Sequence, residues 1–564
     1  MPSSLLRRLL PFLSWLPQIN RRSLRVDVLA GVTVALVAIP QSLAYAQLAG
    51  LPPFYGLYAA LVPTVVGALF GSSAQLSTGP VALTSLLTAA SIADLATAGS
   101  QQYVAYAVTL ALLSGVFQLS FGLLRLGVLM NLLSHPVLMG FVNAAAILIT
   151  LSQVPPLFGA APPATGHIVS DAWHVLANVG QAHGPSLLFG ISALALLIAL
   201  KRYAPKWPAI LVTAAALTAA SYFCGYAEAG GRIVGDIPRG LPDFSLPPFD
   251  WDAWIRLLPA SFVVAVISFM EAMSSAKIAA IKTGRKWDQN QELVGQGLAK
   301  IAAAVSQTMP VSGSFSRSAL NLSANARTGL SSIVCAFCVL LTVLFFTPLL
   351  KYLPQPVLAA IIIMALSNLI NVRSLRTAWL AGRDDALAAG LTFIATLAFA
   401  PQIQNGIFTG ILVSLALFIF SRMRPSMTIV APGDDASACE GIPPGLRNFV
   451  GIVRFDASLV FVNVSYFEKA VLRLAQDHAE LRSVVLSFGA INDLDASGVE
   501  MLSSLVDEMR KKGLAVVLCD VKPHIRSVLE RTGLAATIGA GNFFPGEAKA
   551  LEVLATRMAA GTRE

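Results

Sequence analysis

The sequence predicts a polytopic α-helical membrane protein that carries a soluble α/β domain at its C-terminal end. Hydrophobic residues make up 55% of the 564 residues and charged residues only 12%, whereas a soluble domain carries about 25% charged residues. No charged residue occurs between Asp27 and Asp94, a stretch long enough for about three membrane spans. From about residue 425 the composition changes to a polar, alternating pattern that is typical of a soluble domain.

The apolar part divides into two halves of seven segments each. Most segments approach the ~20 residues that a helix needs to cross a bilayer, and a Gly- and Pro-rich loop, 227–252, separates the halves. An odd number of segments per half inverts the second copy, so we predict a seven-plus-seven inverted repeat. Pro40 is expected to break the first segment, and His135-Pro136 the fifth. The fourteen segments are 26–48, 54–71, 79–96, 101–124, 128–154, 185–201, 208–226, 255–280, 291–309, 314–326, 330–350, 355–371, 385–401 and 404–421.

Two short polar stretches stand among these segments, in corresponding places of the two halves. They are 309–321, Met-Pro-Val-Ser-Gly-Ser-Phe-Ser-Arg-Ser-Ala-Leu-Asn, and 75–89, Gln-Leu-Ser-Thr-Gly-Pro-Val-Ala-Leu-Thr-Ser-Leu-Leu-Thr-Ala. Irregular backbone at membrane depth is tolerated only where it lines a cavity, and Ser314 or Ser316 can cap a helix that begins there. The two half-helices would meet N-terminus to N-terminus. Their positive ends beside Arg317 predict an anion site.

An ionisable side chain in the middle of a span indicates a functional site. Glu271 lies deep in the eighth segment, and Ser275 follows one turn later on the same helix face. We expect Glu271 to bind and release a proton with Arg317 as its partner, and a purely structural Glu–Arg pair is the alternative. Gln41 lies in the first half about where Glu271 lies in the second. Its amide is expected to reach the same cavity, with simple packing as the alternative.

The C-terminal part reads as a linker, 425–447, followed by an α/β domain. Asp495 can cap a helix, and Ser497 near that helix N-terminus would be exposed, so that a phosphate there would face helix N–H groups. Capping alone is the simpler interpretation. The expected strands are 449–455, 460–462, 483–488 and 514–519, and the expected helices are 466–480, 497–512 and 523–532.

Basic residues fall mostly in alternate loops, which predicts that both termini are cytoplasmic. The N-terminal arm, 1–25, is expected in the cytoplasm, with its 5–20 stretch on the membrane surface. Asp94 and Lys300 are expected near the ends of spans. The net charge of +9 reflects these loops and gives no indication of nucleic-acid binding. Neither a phosphate loop nor a metal-ligand cluster nor a nucleophile triad stands out, so we expect no enzyme activity, no cofactor and no metal.

Three motifs carry a resemblance to a known family. They are Pro40-Gln41-Ser42-Leu43-Ala44-Tyr45-Ala46, then Gly50-Leu-Pro-Pro-Phe-Tyr-Gly-Leu-Tyr, and Ser314-Phe-Ser-Arg-Ser. Together they resemble the sulfate permease (SulP) family over nearly the whole chain, and Asp495-Ala-Ser497-Gly498 resembles the phosphorylation motif of the family's STAS domain. The resemblance implies a homodimer with a STAS domain at 448–564. It also implies a transport domain at 26–424, in which a core (segments 1–4 and 8–11) moves against a gate (segments 5–7 and 12–14).

The resemblance also implies roles for individual residues. Glu271, with Ser275 beside it, matches the position tied to proton coupling in bacterial and plant relatives, and Asp495 and Ser497 match the regulatory motif. Val81 stands where animal relatives have an aromatic residue, which would enlarge the pocket. The anion would lie between the two half-helices, against Gln41, Tyr45, Val81, Ala82, Phe315, Ser316 and Arg317.

We therefore expect a proton-coupled sulfate importer of a bacterial inner membrane. Its partners would be a small inorganic or carboxylate anion, a co-transported proton and membrane lipid. One alternative is a bicarbonate or dicarboxylate transporter, or an anion exchanger. Other classes are a nucleobase-type permease, against which the charge of Arg317 argues, and a regulatory sensor whose output is the STAS domain.

Overall fold

The computed structural model describes residues 10–127, 134–160, 168–178, 183–205, 207–238, 240–247, 249–367, 370–432 and 442–561. The chain forms two compact units, Met1–Ser414 and Leu415–Glu564. The first unit is helical apart from two short strands. Its helices are α1 (Phe12–Trp15), α2 (Arg21–Leu48), α3 (Phe54–Ala59), α4 (Val62–Phe70), α5 (Ala82–Ile92), α6 (Gln101–Leu123), α7 (His135–Ser152), α8 (Val154–Leu157), α9 (Ile168–Ala177), α10 (Gly184–Tyr203), α11 (Ala209–Phe223), α12 (Trp251–Thr283), α13 (Gln289–Val305), α14 (Phe315–Ser323), α15 (Leu330–Leu341), α16 (Thr347–Leu350), α17 (Gln355–Leu366), α18 (Val372–Ala381), α19 (Arg383–Ala398) and α20 (Gln404–Met423).

Each of the fourteen predicted segments coincides with one or more of these helices. Within the described residues, seven helical stretches are long and apolar enough to cross a membrane: Arg21–Leu48, Gln101–Leu123, His135–Leu157, Gly184–Tyr203, Trp251–Thr283, Leu330–Leu350 and Gln404–Met423. Four shorter apolar stretches are Phe54–Phe70, Ala82–Ile92, Ala209–Phe223 and Gln355–Leu366. The three remaining predicted segments coincide with α13, α14 and α19.

Extensive helix contacts of the first unit join α6 to α12 and α13, α2 to α15, α7 to α19 and α10 to α17, and α2 also contacts α17. The α6–α13 contact is close because glycines face it. A Cβ on Gly297 would lie 2.5 Å from the Leu119 nitrogen, and one on Gly115 would lie 2.9 Å from the Lys300 Cβ. The backbones of α6 and α13 are therefore in direct contact.

Pro40 does not break its helix, contrary to the prediction. Helix α2 runs without interruption from Arg21 to Leu48, with Pro40 buried inside it. A proline removes one backbone hydrogen bond, and neighbouring helices in a membrane bundle can hold the backbone in place despite that loss. In the fifth segment, α7 begins at His135 with Pro136 in its first turn, where proline is well tolerated. The part of that segment at 128–133 lies outside the described residues.

The second unit is a five-stranded sheet covered by helices on both faces. With the two short strands of the first unit numbered β1 (Ser77–Gly79) and β2 (Ser312–Ser314), the elements of the second unit are β3 (Met427–Val430), β4 (Val450–Phe455), α21 (Val464–Asp477), β5 (Ser483–Ser487), α22 (Ala496–Lys511), β6 (Ala515–Cys519), α23 (Pro523–Arg531), α24 (Leu534–Ile538), β7 (Phe543–Phe544) and α25 (Glu547–Gly561). The strands lie in the order β3–β4–β5–β6–β7, with β3 antiparallel to β4 and the other neighbours parallel. One apolar core lies between the sheet and α21 to α24, and a second lies between the sheet and α25.

Two details of the second unit differ from the prediction. Residues 427–430 of the expected linker form β3, because an edge strand takes its structure from its partner β4 rather than from a local signal. Residues 460–462 form no strand. The neighbouring Leu459 makes one isolated bridge to Leu494, and the chain then turns into α21.

Candidate functional site

The centre of the first unit is an antiparallel ribbon of two short strands, β1 (Ser77–Gly79) and β2 (Ser312–Ser314), and each leads into a short helix. Helix α5 begins at Ala82 and α14 at Phe315. The ribbon therefore holds the starts of the two half-helices close together. Its register pairs Ser77 with Ser314, Thr78 with Gly313 and Gly79 with Ser312.

Surrounding helices satisfy the ribbon's polar groups, which keeps this irregular backbone stable away from water. Thr64 Oγ1 donates to the Thr78 carbonyl at 2.8 Å, and Ser312 Oγ donates to the Ser268 carbonyl at 2.8 Å. The Ser77 N–H donates to Ser318 Oγ at 2.9 Å. Of the two predicted caps for α14, the structure uses Ser314, whose hydroxyl accepts the Arg317 N–H at 3.4 Å.

Arg317 lies in the first turn of α14, with only 1% of its surface exposed. Its Nη1 donates to the Pro80 carbonyl at 3.0 Å, so the guanidinium reaches across to the other half-helix. Among the described residues, its Nη2 has no hydrogen-bond partner. A buried guanidinium with an unused N–H pair is a ready donor for an anion.

Two glycines make this arrangement sterically possible. A Cβ on Gly79 would lie 2.8 Å from Arg317 Nη2, and a Cβ on Gly313 would lie 2.8 Å from the Ala272 Cβ. Because Gly79 has no side chain, the Arg317 guanidinium has room to lie beside it. Gly313 lets α12, which carries Glu271, lie directly against the ribbon. Both glycines lie in the two polar stretches that the sequence singled out, and their steric role becomes visible only in the structure.

Glu271 lies on α12 beside the ribbon, half-buried. Ser312 is within hydrogen-bonding reach of its carboxyl group, and Arg317 lies within electrostatic range. Its Oε2 has no partner among the described residues. No nitrogen of the Arg317 guanidinium lies within 4.0 Å of a carboxylate oxygen of Glu271, so the direct ion pair expected from the sequence is absent. Ser275 Oγ donates to the Glu271 backbone carbonyl at 3.2 Å, and this bond does not involve the carboxylate.

The other residues that the sequence singled out surround the same place from three helices. Gln41 is buried in α2 with no partner for Oε1 among the described residues, and Tyr45, one turn later, is within electrostatic range of Arg317 and Glu271. Val81 and Ala82 are buried at the start of α5. Phe315 and Ser316 are exposed at the start of α14 and do not share the burial of Arg317.

Sequence reasoning misjudged Lys300. It was expected near the end of a span, but it is fully buried where α13 meets α6, and its Nζ donates to Gln118 Oε1 at 2.5 Å. It also lies within electrostatic range of Glu271. The signal was present in the sequence, since Lys300 stands between Ala299 and Ile301 in an apolar run and the rule that selected Glu271 applies equally to it.

In the second unit, Asp495 is the N-cap of α22, as predicted. Its Oδ1 accepts the Gly498 N–H at 2.8 Å, and its Oδ2 accepts the Phe461 N–H at 2.8 Å. Ser497 lies in the first turn and is partly exposed. A cavity of about 690 Å³ at the start of α22 is lined by residues including Asp495, Glu500 and Thr532, and Ser497 is not among them. Ser497 itself is partly exposed next to a helix N-terminus, which favours a negatively charged group.

Comparison with known proteins gives a consistent assignment over most of the chain. Residues 24–392 match the Sulfate permease family, and residues 444–550 match the STAS domain. Probable sulfate transporter 4.2 of Arabidopsis thaliana is 34% identical, covering 92% of this chain and 79% of its own. Probable sulfate transporter Rv1739c of Mycobacterium tuberculosis is 32% identical, covering 93% of this chain and 94% of its own. The sodium-independent sulfate anion transporter of Bos taurus is 31% identical, covering 93% and 88%.

Solved structures share the fold. The overall structure of SLC26A9 aligns with a TM-score of 0.88 at 22% identity, covering 100% of this chain and 94% of that chain. The transmembrane domain of the cyanobacterial bicarbonate transporter BicA aligns with a TM-score of 0.59 at 25% identity, covering 70% of this chain and 98% of that chain. The predicted fold class, a helical inverted repeat of fourteen segments followed by a STAS domain, is confirmed.

Proposed function

Because the chain belongs to the sulfate permease family, we propose that it is a secondary active transporter that takes up sulfate together with protons. It is a multi-pass membrane protein of an anion-transporting family. We further propose that the protein lies in a bacterial inner membrane with both termini in the cytoplasm. We also propose that two copies form a homodimer. The positive-inside pattern of the loops supports this orientation.

The observation that carries the proposal is the unused half of the Arg317 guanidinium. Nη1 is fixed by the Pro80 carbonyl, while Nη2 is buried without a partner among the described residues, at the place where both half-helices begin. Helix N-termini add partial positive charge to that place. A dianion such as sulfate gains from each of these donors, whereas a neutral nucleobase gains little from an unpaired positive charge.

We assign proton coupling to Glu271, with Ser275 holding its backbone. The carboxyl group has one oxygen without a partner and lies in electrostatic range of Arg317 without forming an ion pair. An anion bound at Arg317 would screen that positive charge from Glu271 and favour the protonated carboxyl group. Anion and proton would then bind together, and linkage requires that acid tightens anion binding by the same factor.

Uptake by proteoliposomes containing the purified protein tests the function directly. We expect labelled sulfate to accumulate against its gradient when the side from which it enters is made acidic, and unlabelled sulfate to compete with it. Bicarbonate, a dicarboxylate and a nucleobase serve as alternative substrates in the same assay. Accumulation of one of these in place of sulfate would contradict the substrate assignment, and accumulation without a pH gradient would contradict the coupling.

Glu271→Gln tests the coupling residue. The amide mimics the protonated acid, so the variant should bind sulfate with an affinity that no longer depends on pH, and it should still exchange sulfate for sulfate. It should lose accumulation driven by a pH gradient. A folded Glu271→Gln protein that still concentrates sulfate in response to that gradient would exclude Glu271 as the coupling group.

We propose a regulatory role for the STAS domain through Asp495 and Ser497. Ser497→Glu places a negative charge near the N-terminus of α22, where the helix dipole favours it. We expect a changed transport rate and an unchanged sulfate affinity, measured as initial uptake over a range of sulfate concentrations. Ser503→Glu, one to two turns further along the same helix, is the control. A changed affinity with an unchanged rate would contradict this role.

A further inference from the structure

Four charged side chains of the described residues are fully buried: Asp27, Glu292, Lys300 and Arg317. The two carboxylates accept hydrogen bonds from N–H and O–H donors. Asp27 accepts from the Arg327 N–H at 2.6 Å and from the Thr328 hydroxyl at 2.6 Å. Glu292 accepts from the Ser72 and Ser73 N–H groups at 3.0 and 2.9 Å. Each of the two cations donates to a single neutral oxygen, Arg317 to the Pro80 carbonyl and Lys300 to Gln118 Oε1.

Lys300 is the less expected of these two cations. Its hydrogen-bond partner is a neutral amide, Gln118 Oε1, and no carboxylate of the described residues lies within 4.0 Å of its ammonium group. A buried charge without a counter-charge is costly. The close approach of Gly115 to the Lys300 Cβ and of Gly297 to Leu119 fixes the backbone on both sides. The side chain of Lys300 is fully buried at this contact.

The position of Lys300 connects it to the anion site. Gln296, one turn earlier on the same face of α13, donates to Thr78 Oγ1 in the ribbon at 2.8 Å. Glu271, on the neighbouring α12, lies within electrostatic range of Lys300. Lys300 thus lies one turn from a side chain that contacts the ribbon, and within electrostatic range of the carboxyl group that we assign to coupling.

We propose that Lys300 is a second cation of the substrate site and the residue that gives this protein its preference for a divalent over a monovalent anion. The inference rests on the proposed function. With Glu271 protonated and Lys300 in its ammonium form, the side chains of Arg317 and Lys300 carry two positive charges, which a dianion such as sulfate neutralises. With Lys300 removed, one positive charge remains, and a monoanion is the better match.

Coulomb's law makes the expected effect quantitative. The energy between a fixed charge and an anion at a given place is proportional to the anion's charge. Removing Lys300 should therefore lower the affinity for both anions, but by different factors. The factor for a dianion should be the square of the factor for a monoanion of the same shape. If Lys300→Met weakens the monoanion about threefold, the dianion should weaken about ninefold. A structural change in the pocket would weaken both anions by similar factors.

The experiment compares sulfate and perchlorate, which are both tetrahedral and differ in charge. Their apparent affinities are measured by competition with labelled sulfate on the purified full-length protein, at constant ionic strength. Lys277→Met is the matched control, because it removes one lysine charge at an exposed position of α12, the helix that carries Glu271. We expect this control to leave the ratio of the two affinities unchanged. We expect the squared relation in Lys300→Met.

An equal loss of affinity for the two anions in Lys300→Met, or no change in either affinity, would overturn the role of Lys300. Neither result would affect the proposal that the unmodified protein transports sulfate. A wild-type protein that binds neither anion would overturn the proposed function and this inference together. Lys300→Gln provides a second neutral side chain if the methionine variant yields too little protein. It must give the same squared relation, and a different relation would also count against the proposal.

Discussion

At the scale of single residues, the structure distinguishes satisfied from unsatisfied buried groups. Asp27 and Glu292 are held by backbone N–H groups, whereas one oxygen of Glu271 and one nitrogen of Arg317 have no partner among the described residues. Unsatisfied buried polar atoms are rare in native proteins and call for a specific explanation. Among the unpartnered atoms of the described residues, these two belong to α12 and α14, which both contact β2, and this is consistent with a site that is completed by a small charged substrate.

Arg317→Ala tests the anion donor. Removing the guanidinium should weaken sulfate binding by about 1.5–3 kcal/mol, the usual value of a hydrogen bond to a charged group. Arg317→Lys should restore only part of this loss, because an ammonium group lacks the planar fork that reaches Pro80 and the substrate together. Sulfate affinity of the purified protein is the measurement. Arg327→Ala, at an exposed position just after the same half-helix, is the control and should bind sulfate normally.

At the scale of elements, the ribbon β1–β2 is the feature on which the site depends. It brings together two segments that are more than two hundred residues apart in the chain, and glycines at its contacts allow helices to approach within van der Waals distance. Side chains from α4, α13 and α14 and the Ser268 carbonyl of α12 then fix it. Small residues at helix contacts are the usual means of close packing in membranes.

Gly313→Ala tests this packing. The new Cβ would lie 2.8 Å from the Ala272 Cβ and 2.8 Å from Leu76 Cδ1, closer than such atoms can approach. We expect a loss of stability of about 1–3 kcal/mol, as for other overpacked cores, together with reduced transport. Gly390→Ala, in the middle of α19, is the control because nothing lies within 4 Å of its added methyl group. Melting temperatures in detergent compare the two, and equal values would argue against the tight contact.

The ion pair between Arg454 of β4 and Glu547 of α25 gives a pH prediction within the second unit. Arg454 Nε donates to Glu547 Oε1 at 2.9 Å and Nη2 to Oε2 at 2.7 Å. The hydrogen bond from Arg454 lowers the pKa of Glu547 below its ordinary value of 4.5, although burial opposes this shift. The stabilisation is therefore present above the unfolded pKa and is lost as pH falls through the lower folded pKa.

Glu547→Gln should lower the free energy of unfolding at neutral pH by about 0.5–1 kcal/mol. The effect is small because the Arg454 side chain is 43% exposed and solvent screens the pair. In acid, below the folded pKa, the difference between variant and wild type should vanish. Urea unfolding of residues 425–564, which contain the sheet and both cores, measures it. Glu552→Gln removes a more exposed pair with Lys549 and should have less effect. A difference that persists in acid would refute the ionic origin.

At the scale of the whole molecule, two compact units divide the chain, and each has its own core. The buried groups assigned to transport all belong to the first unit, while Asp495 and Ser497 belong to the second. This separation predicts that chemistry and regulation can be removed independently.

A chain that ends near Arg424 tests that separation. It keeps every helix of the first unit and α20. We expect it to insert into the membrane and to bind sulfate with normal affinity, but to transport more slowly and to dimerise less well. Binding, uptake rate and the mass of the detergent-solubilised particle are the measurements. A truncated protein that is indistinguishable from the full chain would remove the STAS domain from the transport mechanism.

The sequence by itself determined the class of protein, the approximate position of every predicted segment and the two half-helices with Arg317 at the start of the second. These features follow from local properties: the hydropathy of about twenty consecutive residues, and Pro, Gly and Ser at a helix start. The family motifs are equally local. They led to Gln41 and Tyr45, whereas Glu271 was indicated by an ionisable side chain in the middle of a span.

Only the tertiary structure decided the contacts of those residues. It directs Arg317 to the Pro80 carbonyl instead of to Glu271, buries Lys300 against Gln118, and keeps α2 continuous through Pro40. It also turns 427–430, expected to be linker, into an edge strand. Each outcome depends on an atom contributed by a distant part of the chain. A sequence reports the cost of burying a charge or a proline at one position, but the partner or packing that offsets this cost appears only when the chain is folded.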